Sequence, residues 1–448
     1  MSDEAVERAL GRVVARRPDL ALAAQVAADG LTCGEGVGLV HQAVLQRFLW
    51  WRMPRDCPAR EWDDLVESTG ALLHELRLSH LAHVARSAET RRVLEAWRVG
   101  PFEGMAAFQE AHARSGVEPP DTELLEWGSV MGIDEARAYD AVERALGDAV
   151  AAGELVPGAA RWRTKAVAIS EAVLGRPLDL PPGQTLASLV TTERVATWIE
   201  GARHGTHRAW RSSVANRLLH PVELPPDPAR AVEPMRWLLA AASGPDGTAL
   251  TQAGYLARAT VLAAVERFGW WDWHTPPHSE AEVAALSTLR EVASRLRLVR
   301  RRGRRLLLTA RGATLLARPE ALWAQLARTT EDGSEFTAMV TELVGLRLLA
   351  GRVEVRQLVA DLHPILEAQG WSTPVGPITA DHVLSAIYRP VRWWQLFDLL
   401  DEEEATWERG TARELTPHTV ALTADGERTV LAYLRARAAG PRRRLWGD

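Results

Sequence analysis

Ten arginines lie between residues 290 and 318, where the only acidic residue is Glu291, so the local formal charge is plus nine. Guanidinium groups at this density suit a polyanion, because each one replaces a counterion of a phosphate backbone and donates hydrogen bonds to phosphate oxygens. The sequence therefore predicts an anion-binding or nucleic-acid-binding segment. Its candidate binding residues are Arg290, Arg295, Arg297, Arg300, Arg301, Arg302, Arg304, Arg305 and Arg311.

Arginine is the default cation of this chain, which weakens the evidence from any single residue. Lys165 is the only lysine among 53 basic residues. Ten arginines among the 29 residues from 290 to 318 nevertheless exceed what that composition explains. Three interpretations stay open: a site for nucleic acid, a solvated or intramolecular face covered by acidic segments 121–157 and 398–408, and a surface that docks protein.

The segment is predicted to fold as a helix, a hairpin and a second helix. Leu286, Leu289, Val292 and Leu296 follow helical spacing. A short arginine and glycine turn precedes the apolar run 306–308, which predicts the second strand of a hairpin. Thr309 can then cap the next helix. These elements would place the arginines along a two-stranded finger.

A sequence repeat supports this arrangement. Residues 308–312 read Leu-Thr-Ala-Arg-Gly and residues 422–426 read Leu-Thr-Ala-Asp-Gly, each with a leucine further along the chain. A third pentad at 250–254, Leu-Thr-Gln-Ala-Gly, is predicted to open the first of the two repeated units, and a helix is predicted from Gln252 to Phe268. The chain is therefore predicted to contain a duplicated unit in which a strand leads through a threonine cap into a helix.

The helix, basic hairpin and Leu-Thr-x-x-Gly step resemble winged helix-turn-helix domains of the kind found in bacterial MarR-type regulators. The resemblance covers residues 280–317 and, less fully, 378–434. It implies that the hairpin is the wing and that the preceding helix enters the major groove, although winged helices also bind proteins. The whole chain also resembles large helical proteins of GC-rich bacteria.

The helix that this resemblance offers to the groove spans residues 280–296. Three acids in it, Glu280, Glu282 and Glu291, would repel phosphates, and few side chains could read base edges: Ser287, Thr288, Arg290 and Arg295. We therefore expect recognition of the DNA backbone and shape to dominate over recognition of sequence.

The two repeats differ in charge. Arg311 follows its Thr cap where an acid would suit the helix dipole, so this helix start is a candidate anion site, whereas Asp425 at the matching position suits the dipole. The second hairpin would include Asp398 to Glu408, an acidic run without a base. Such a loop would be repelled by phosphate and could meet the basic face of a protein.

Helical spacing of apolar residues predicts a mainly α protein, and chain length predicts more than one domain. With 448 residues, 47% apolar and 25% charged, the chain is typical of globular proteins with more than one core. We predict helical bundles with two winged-helix units carrying short β-hairpins, and leave a third, degenerate unit open because ARWRTK at 160–165 suggests a returning strand. The predicted segments are a helical domain (1–118), acidic helices with the degenerate unit (119–176), a helical linker region (177–246), a winged helix with the basic wing (247–330) and a winged helix with the acidic wing (331–448).

The predicted function is a DNA-associated protein whose arginine-rich wing binds the phosphate backbone. The alternative is a protein adaptor or assembly scaffold that uses its winged helices without catalysis. No phosphate loop, GxSxG motif, zinc helix or dinucleotide motif is present, so we expect neither catalysis nor a metal or cofactor, although a novel active site stays open. Two cysteines, the absence of a long apolar run and a charged N-terminus predict a cytoplasmic protein without a membrane segment.

Overall fold

The computed structural model describes residues 3–32, 40–179, 183–271, 274–404 and 418–443. The predicted mainly α class is confirmed, with short antiparallel sheets beside the helices. The chain divides into two compact units, Met1–Glu193 with Pro441–Asp448, and Arg194–Gly440. The predicted segment boundaries at 118 and 330 fall inside these units. Among the described helices, none has the length and apolar content that crossing a membrane requires.

The first unit is helical in its described part, and its buried side chains form two clusters, one between Ala9 and Ala111 and one between Leu125 and Val190. Proline and glycine separate neighbouring helices, as at Gly100 and Pro101. Its helices are α1 (Asp3–Arg16), α2 (Ala21–Thr32), α3 (Gln42–Arg47), α4 (Met53–Asp56), α5 (Trp62–Glu75), α6 (Ser79–Ala85), α7 (Ala88–Val99), α8 (Pro101–Ser115), α9 (Ile133–Ala151), α10 (Trp162–Leu174) and α11 (Leu186–Glu200), the last of which continues into the second unit.

The returning strand predicted at 160–165 is wrong, and with it the hairpin of a degenerate third unit. Trp162 begins α10, and Ala166, Ser170 and Leu174 are buried at four-residue spacing along it. Burial of one helical face therefore overrides the short alternating pattern that suggested a strand. The acidic segment 121–157 is helical only in α9.

The second unit contains the segment that carries the arginines. Its elements after α11 are α12 (Gly205–Leu218), α13 (Pro228–Ala231), α14 (Glu233–Ala241), β1 (Thr248–Ala249), α15 (Arg258–Phe268), α16 (Ala284–Arg295), β2 (Val299–Arg302), β3 (Arg305–Leu308), α17 (Ala310–Leu316), α18 (Pro319–Ala327), α19 (Glu335–Leu349), β4 (Val353–Glu354), α20 (Val355–Ala368), β5 (Ser372–Thr373), β6 (Gly376–Pro377), α21 (Ala380–Gln395), β7 (Leu400–Glu404), β8 (His418–Leu422) and α22 (Ala424–Ala439).

Two stretches of this unit share one topology. In the first, α14, β1, α15, α16, β2, β3 and α17 follow in order, and the sheet order is β1-β3-β2. In the second, α19, β4, α20, α21, β7, β8 and α22 follow, and the sheet order is β4-β8-β7. We call these the first and second repeats. The second differs by the small β5–β6 hairpin between its middle helices.

Matching hydrogen bonds close both repeats. The backbone N-H groups of Thr309 and Thr423 donate to the carbonyls of Leu298 and Leu399, both at 3.0 Å. Each threonine hydroxyl then accepts the N-H of the glycine three residues later. The two threonine caps predicted from the repeated pentads are therefore confirmed.

The third pentad does not start a helix. Thr251 lies in a turn with Gly254, whose φ is +89°, and α15 begins later, at Arg258. The helix predicted from Gln252 is therefore wrong over its first six residues. A glycine in the left-handed region suits a turn and not a helix interior.

Glycine is required at the repeated Leu-Thr-x-x-Gly step because two backbones approach closely there. A Cβ atom at Gly312 would lie 2.1 Å from the Leu298 carbonyl oxygen, and one at Gly426 would lie 2.0 Å from that of Leu399. Backbone atoms cannot move aside as a flexible side chain can. The glycine thus holds the helix start against the turn that precedes the hairpin.

We predict that Gly312→Ala lowers the free energy of unfolding by about 1–3 kcal/mol, because the added methyl overpacks the site against backbone. Chemical unfolding of the full chain measures the change. Gly244→Ala is the matched control, since a Cβ there meets nothing within 4 Å, and it should stay within about 0.5 kcal/mol of the parent protein. Equal stability of the two variants would contradict the assignment.

A buried carboxylate joins four helices in the core of the second unit. Glu342 of α19 is fully buried and accepts hydrogen bonds from His207 Nε2 at 2.8 Å, Arg211 Nη2 at 2.6 Å and Arg437 Nε at 2.9 Å. Trp198 of α11 adds its indole N-H at 3.3 Å. Burial alone raises the pKa of Glu342, but these partners outweigh it and hold its pKa well below the ordinary value.

We predict that Glu342→Gln costs about 3–5 kcal/mol of stability at neutral pH, because it leaves the buried Arg211 and the half-buried Arg437 without their counter-charge. Chemical unfolding measures the loss. Glu335→Gln on the same helix is the control, since Glu335 is largely exposed and its pairing with Arg437 is long at 3.7 Å. A comparable loss in both variants would contradict the buried pairing.

Stability should also fall with acidification. The pKa of Glu342 is lower in the folded state, so its contribution is complete above the unfolded value of about 4.3 and is lost as pH falls through the folded value. The pKa of His207 is also lower in the folded state, here because of burial. Protonation of His207 therefore favours unfolding once pH falls below about 6.5. Unfolding curves between about pH 5 and pH 2, where the Glu342 contribution is lost, should show a smaller loss of stability in Glu342→Gln than in the parent protein.

Candidate nucleic-acid interface

The predicted hairpin is present and short. Strands β2 and β3 pair antiparallel, with Val299 opposite Leu308 and Arg302 opposite Arg305. Gly303 and Arg304 form the two-residue loop, where Gly303 has a φ of +58° that a glycine adopts readily. Val299 and Leu306 are buried and fix the base of the hairpin in the core.

The pleat of the hairpin divides its arginines into two groups. Residues directly opposite each other share a face, so Arg301 lies on the same face as its partner Leu306, which is 2% exposed. Arg301 reaches the 251–254 turn, where a Cβ at Gly254 would lie 2.6 Å from its Nη1. Arg304 donates to the Leu250 carbonyl at 3.4 Å. These two arginines therefore help to attach the hairpin to the turn after β1.

The other face of the hairpin carries Arg300, Arg302 and Arg305, which we call the outward triad. All three residues are exposed. Within residues 3–443, excluding the undescribed gaps, none of the three has an ion pair or a side-chain hydrogen bond. Three guanidinium groups thus point away from the core on adjacent strands, in an arrangement that offers their hydrogen-bond donors to an external anion.

The remaining predicted arginines do not join this triad. Arg290 bonds to Glu280 Oε1 at 2.5 Å, and the fully buried Glu280 also accepts the Leu256 N-H at 2.6 Å. Arg295 donates to the carbonyl oxygens of Thr330 and Glu331. Both α16 arginines therefore have structural hydrogen-bond partners.

Arg297 and Arg311 lie at the two joints of the basic segment. Arg297 is exposed and has a φ of +57°, and its carbonyl accepts the Thr309 hydroxyl at 2.7 Å. Asp398 holds the matching position of the second repeat with a φ of +54°. Arg311 is exposed in the first turn of α17 and donates to Gln325 Oε1 at 2.9 Å.

The side of α16 that was predicted to face a groove lies beside α21. Thr288 shares a cavity of about 390 Å³ with Gln395, the last residue of α21, and with Leu396, which follows it. Glu291 and Arg295 line a second cavity of about 690 Å³. Residues of α21, among them Tyr388 and Arg392, line it from the other side. In this arrangement, Thr288, Glu291 and Arg295 face another part of the chain.

The predicted acidic loop begins as a strand. Residues 400–404 form β7, which pairs with β8, and Asp401 forms an ion pair with Arg352. Residues 405–408 lie outside the described residues. Among the described residues of the second unit, no acid of 398–401 forms an ion pair with the basic hairpin. The intramolecular covering by this segment that the sequence left open is therefore not seen where the structure describes it.

One group in the first unit has the residue types of a metal site. His41, Asp140 and Glu143 place ligand atoms within 4.8 Å of one another. Arg47 Nη1 donates to both Glu143 oxygens at 2.7 and 2.6 Å, and His41 Nε2 bonds to Asp140 at 2.9 Å. A divalent cation there would meet the guanidinium of Arg47, so the geometry favours a hydrogen-bonded ionic cluster.

Sequence reasoning missed the Glu342 cluster and the division of the hairpin arginines. The division has a sequence signal, since Val299 and Leu306 are the apolar residues that fix which hairpin face is buried. The Glu342 cluster has none, because the partners of Glu342 lie between 95 and 144 residues away from it in the chain. Only packing of α12, α19 and α22 brings them together.

Comparison with known proteins gives one match. The model of a protein family described as the Y4jL N-terminal domain matches residues 229–321. This range contains all elements of the first repeat, from α14 to α17. No curated protein and no solved structure matches the chain.

We predict that Arg302→Thr raises the free energy of unfolding by about 0.2–1 kcal/mol at low salt, because it removes a like charge directly opposite Arg305. Thr also suits a strand. The gain should shrink when salt screens the repulsion. Chemical unfolding at two salt concentrations measures both effects. A variant that is less stable at low salt would show that Arg302 has a stabilising partner.

Proposed function

We propose that this protein is a DNA-associated protein of the winged-helix type, and that its outward triad binds the phosphate backbone of duplex DNA. The observation that carries the proposal is the triad itself, three exposed guanidiniums that have no carboxylate partner in the described part of the chain. The three positive charges repel one another until an anion neutralises them. A phosphate backbone supplies anions at regular spacing.

The order of elements supports the winged-helix part of the proposal. A helix, a strand, two helices and a two-stranded hairpin follow one another in the first repeat. The strand β1 pairs with β3, the second strand of the hairpin. In this scheme α16 is the helix before the wing and β2–β3 is the wing. The second repeat has the same scheme with an acidic β7, which does not suit a phosphate backbone.

Binding is proposed to depend on backbone contacts more than on base contacts. Arg290 and Arg295 are held by Glu280 and by the carbonyls of Thr330 and Glu331, and Thr288 faces α21. Few α16 side chains are then free to reach base edges. Contacts to phosphate position a protein without carrying sequence information, so discrimination between sequences should be weak.

We predict that the full chain binds a fluorescein-labelled duplex in fluorescence anisotropy and that the affinity falls steeply between about 50 and 200 mM salt. Replacing Arg300, Arg302 and Arg305 by Gln should weaken binding of all duplex sequences alike and lower the salt slope by about one per arginine. The loss follows from the release of fewer counterions.

The matched control replaces three exposed arginines elsewhere, Arg60, Arg163 and Arg230, by Gln. It changes the net charge by the same amount and should keep the salt slope of the parent protein. Absence of duplex binding, binding insensitive to salt, or an equal loss in both triple variants would overturn the proposal.

A second candidate is an adaptor or assembly protein whose winged helices bind protein. It is favoured by the position of α16, whose predicted reading face lies beside α21 and not in the open. In that case the outward triad would meet an acidic protein surface. The triple variant would then lose a protein partner that the parent protein retains in a pull-down. Neither protein would bind the duplex.

A further inference from the structure

A cleft separates α16 of the first repeat from α21 of the second. It contains the two cavities of about 690 and 390 Å³. Glu331 and Arg392 line both cavities, so the two spaces adjoin, and we call them together the inter-helix cleft. Each of the two cavities is within the size range of pockets that hold small organic molecules.

Three of the six charged side chains that line the inter-helix cleft have protein partners. Asp332 forms an ion pair with Arg389, and Arg295 donates to the carbonyls of Thr330 and Glu331. These contacts hold the segment 330–332 between α16 and α21. They also leave that part of the cleft close to electrical neutrality.

Glu291, Glu331 and Arg392 have no side-chain hydrogen bond or ion pair among the described residues, and of these only Glu331 and Arg392 line both cavities. The Oε2 atom of Glu331 is buried and has no hydrogen-bond partner among the described residues. The Arg392 guanidinium lies 5.8 Å from the Tyr388 ring centroid and has no carboxylate hydrogen-bonded to it in the described part of the chain. One unsatisfied acid and one unpaired base therefore border the same space.

Leaving the carboxylate in this position has a cost. A buried carboxylate oxygen without a donor loses its hydration and receives nothing in return. Burial accordingly raises the pKa of Glu331. A ligand that brings an ammonium group to Glu331 would restore the missing hydrogen bonds, and a carboxylate on the same ligand would suit the planar fork of Arg392.

The smaller cavity has an apolar wall. Trp270, Ala284, Ala285 and Leu396 line it beside the two charged groups. A ligand with opposite charges at one end and a large apolar group at the other matches this division into polar and apolar parts. Burial of that group against these side chains would add hydrophobic free energy to the ionic contacts.

We propose that the inter-helix cleft is a binding site for a free amino acid with a large apolar side chain. The ammonium group bonds Glu331, the carboxylate bonds Arg392, and the side chain occupies the smaller cavity beside Trp270. This site is separate from the outward triad, so the proposal does not depend on nucleic-acid binding.

The test is isothermal titration of the full chain, without DNA, with L-phenylalanine, L-leucine and L-tryptophan as probes. At least one should bind with a dissociation constant below about 1 mM. Phenethylamine and 3-phenylpropionate, which each keep one of the two charges of phenylalanine, should bind about tenfold more weakly or not at all. Equal binding of the half-analogues would overturn the proposal.

Glu331→Gln, which preserves the size of the side chain, and Arg392→Gln, which shortens it, each remove one charge and should each weaken amino-acid binding about tenfold or more. Arg258→Gln is the control, since Arg258 is exposed on α15 outside the cleft. Thermal melting checks that all variants are folded. Wild-type affinity in both cleft variants, or no binding by any of the three amino acids, would overturn the site. Duplex binding is measured separately, so failure of the site and failure of the proposed function are distinguishable.

Discussion

The arrangement of the basic surface depends on the register of one short hairpin. Val299 and Leu306 are buried on one face of β2 and β3, and this burial decides which arginines point outward. A shift by one residue would exchange the two faces and place Arg300 and Arg302 against the core. Desolvating unpaired guanidiniums is costly, so the register is strongly determined. The clustering of charge at the tip is thus a consequence of two apolar side chains at the base.

The two repeats share one backbone geometry but differ in the charge of their exposed side chains. Both turn from helix to strand through a residue in the left-handed region, and both return through a threonine cap and a glycine that contacts a backbone carbonyl. The residues at matching exposed positions differ: Arg297 and Asp398, Arg311 and Asp425. The stability of each repeat depends on the turn and cap geometry that the two repeats share. The exposed side chains at these positions set the charge of each repeat.

Polar contacts that the sequence did not suggest connect the repeats to the rest of the second unit. Glu342 holds α12, α19 and α22 together through two guanidiniums and a histidine. Arg295 and Arg389 fix the 330–332 segment between α16 and α21. Buried ionic contacts give less net stability than apolar packing of the same volume, but they leave few alternative arrangements in which every charge is satisfied. The resulting position of α21 limits what α16 can contact and creates the inter-helix cleft.

The sequence by itself determined the helical class, the basic hairpin, the threonine caps and the charge difference between the repeats, because these depend on neighbours within a few residues. It wrongly predicted a strand at 160–165 and a helix at 252–257, where burial of α10 and a turn at Gly254 override the local pattern. Tertiary structure alone decided that Arg290 and Arg295 are held internally and that Glu331 and Arg392 share a cleft. These relations join residues distant in the chain, and no local periodicity carries information about which helix will pack beside another.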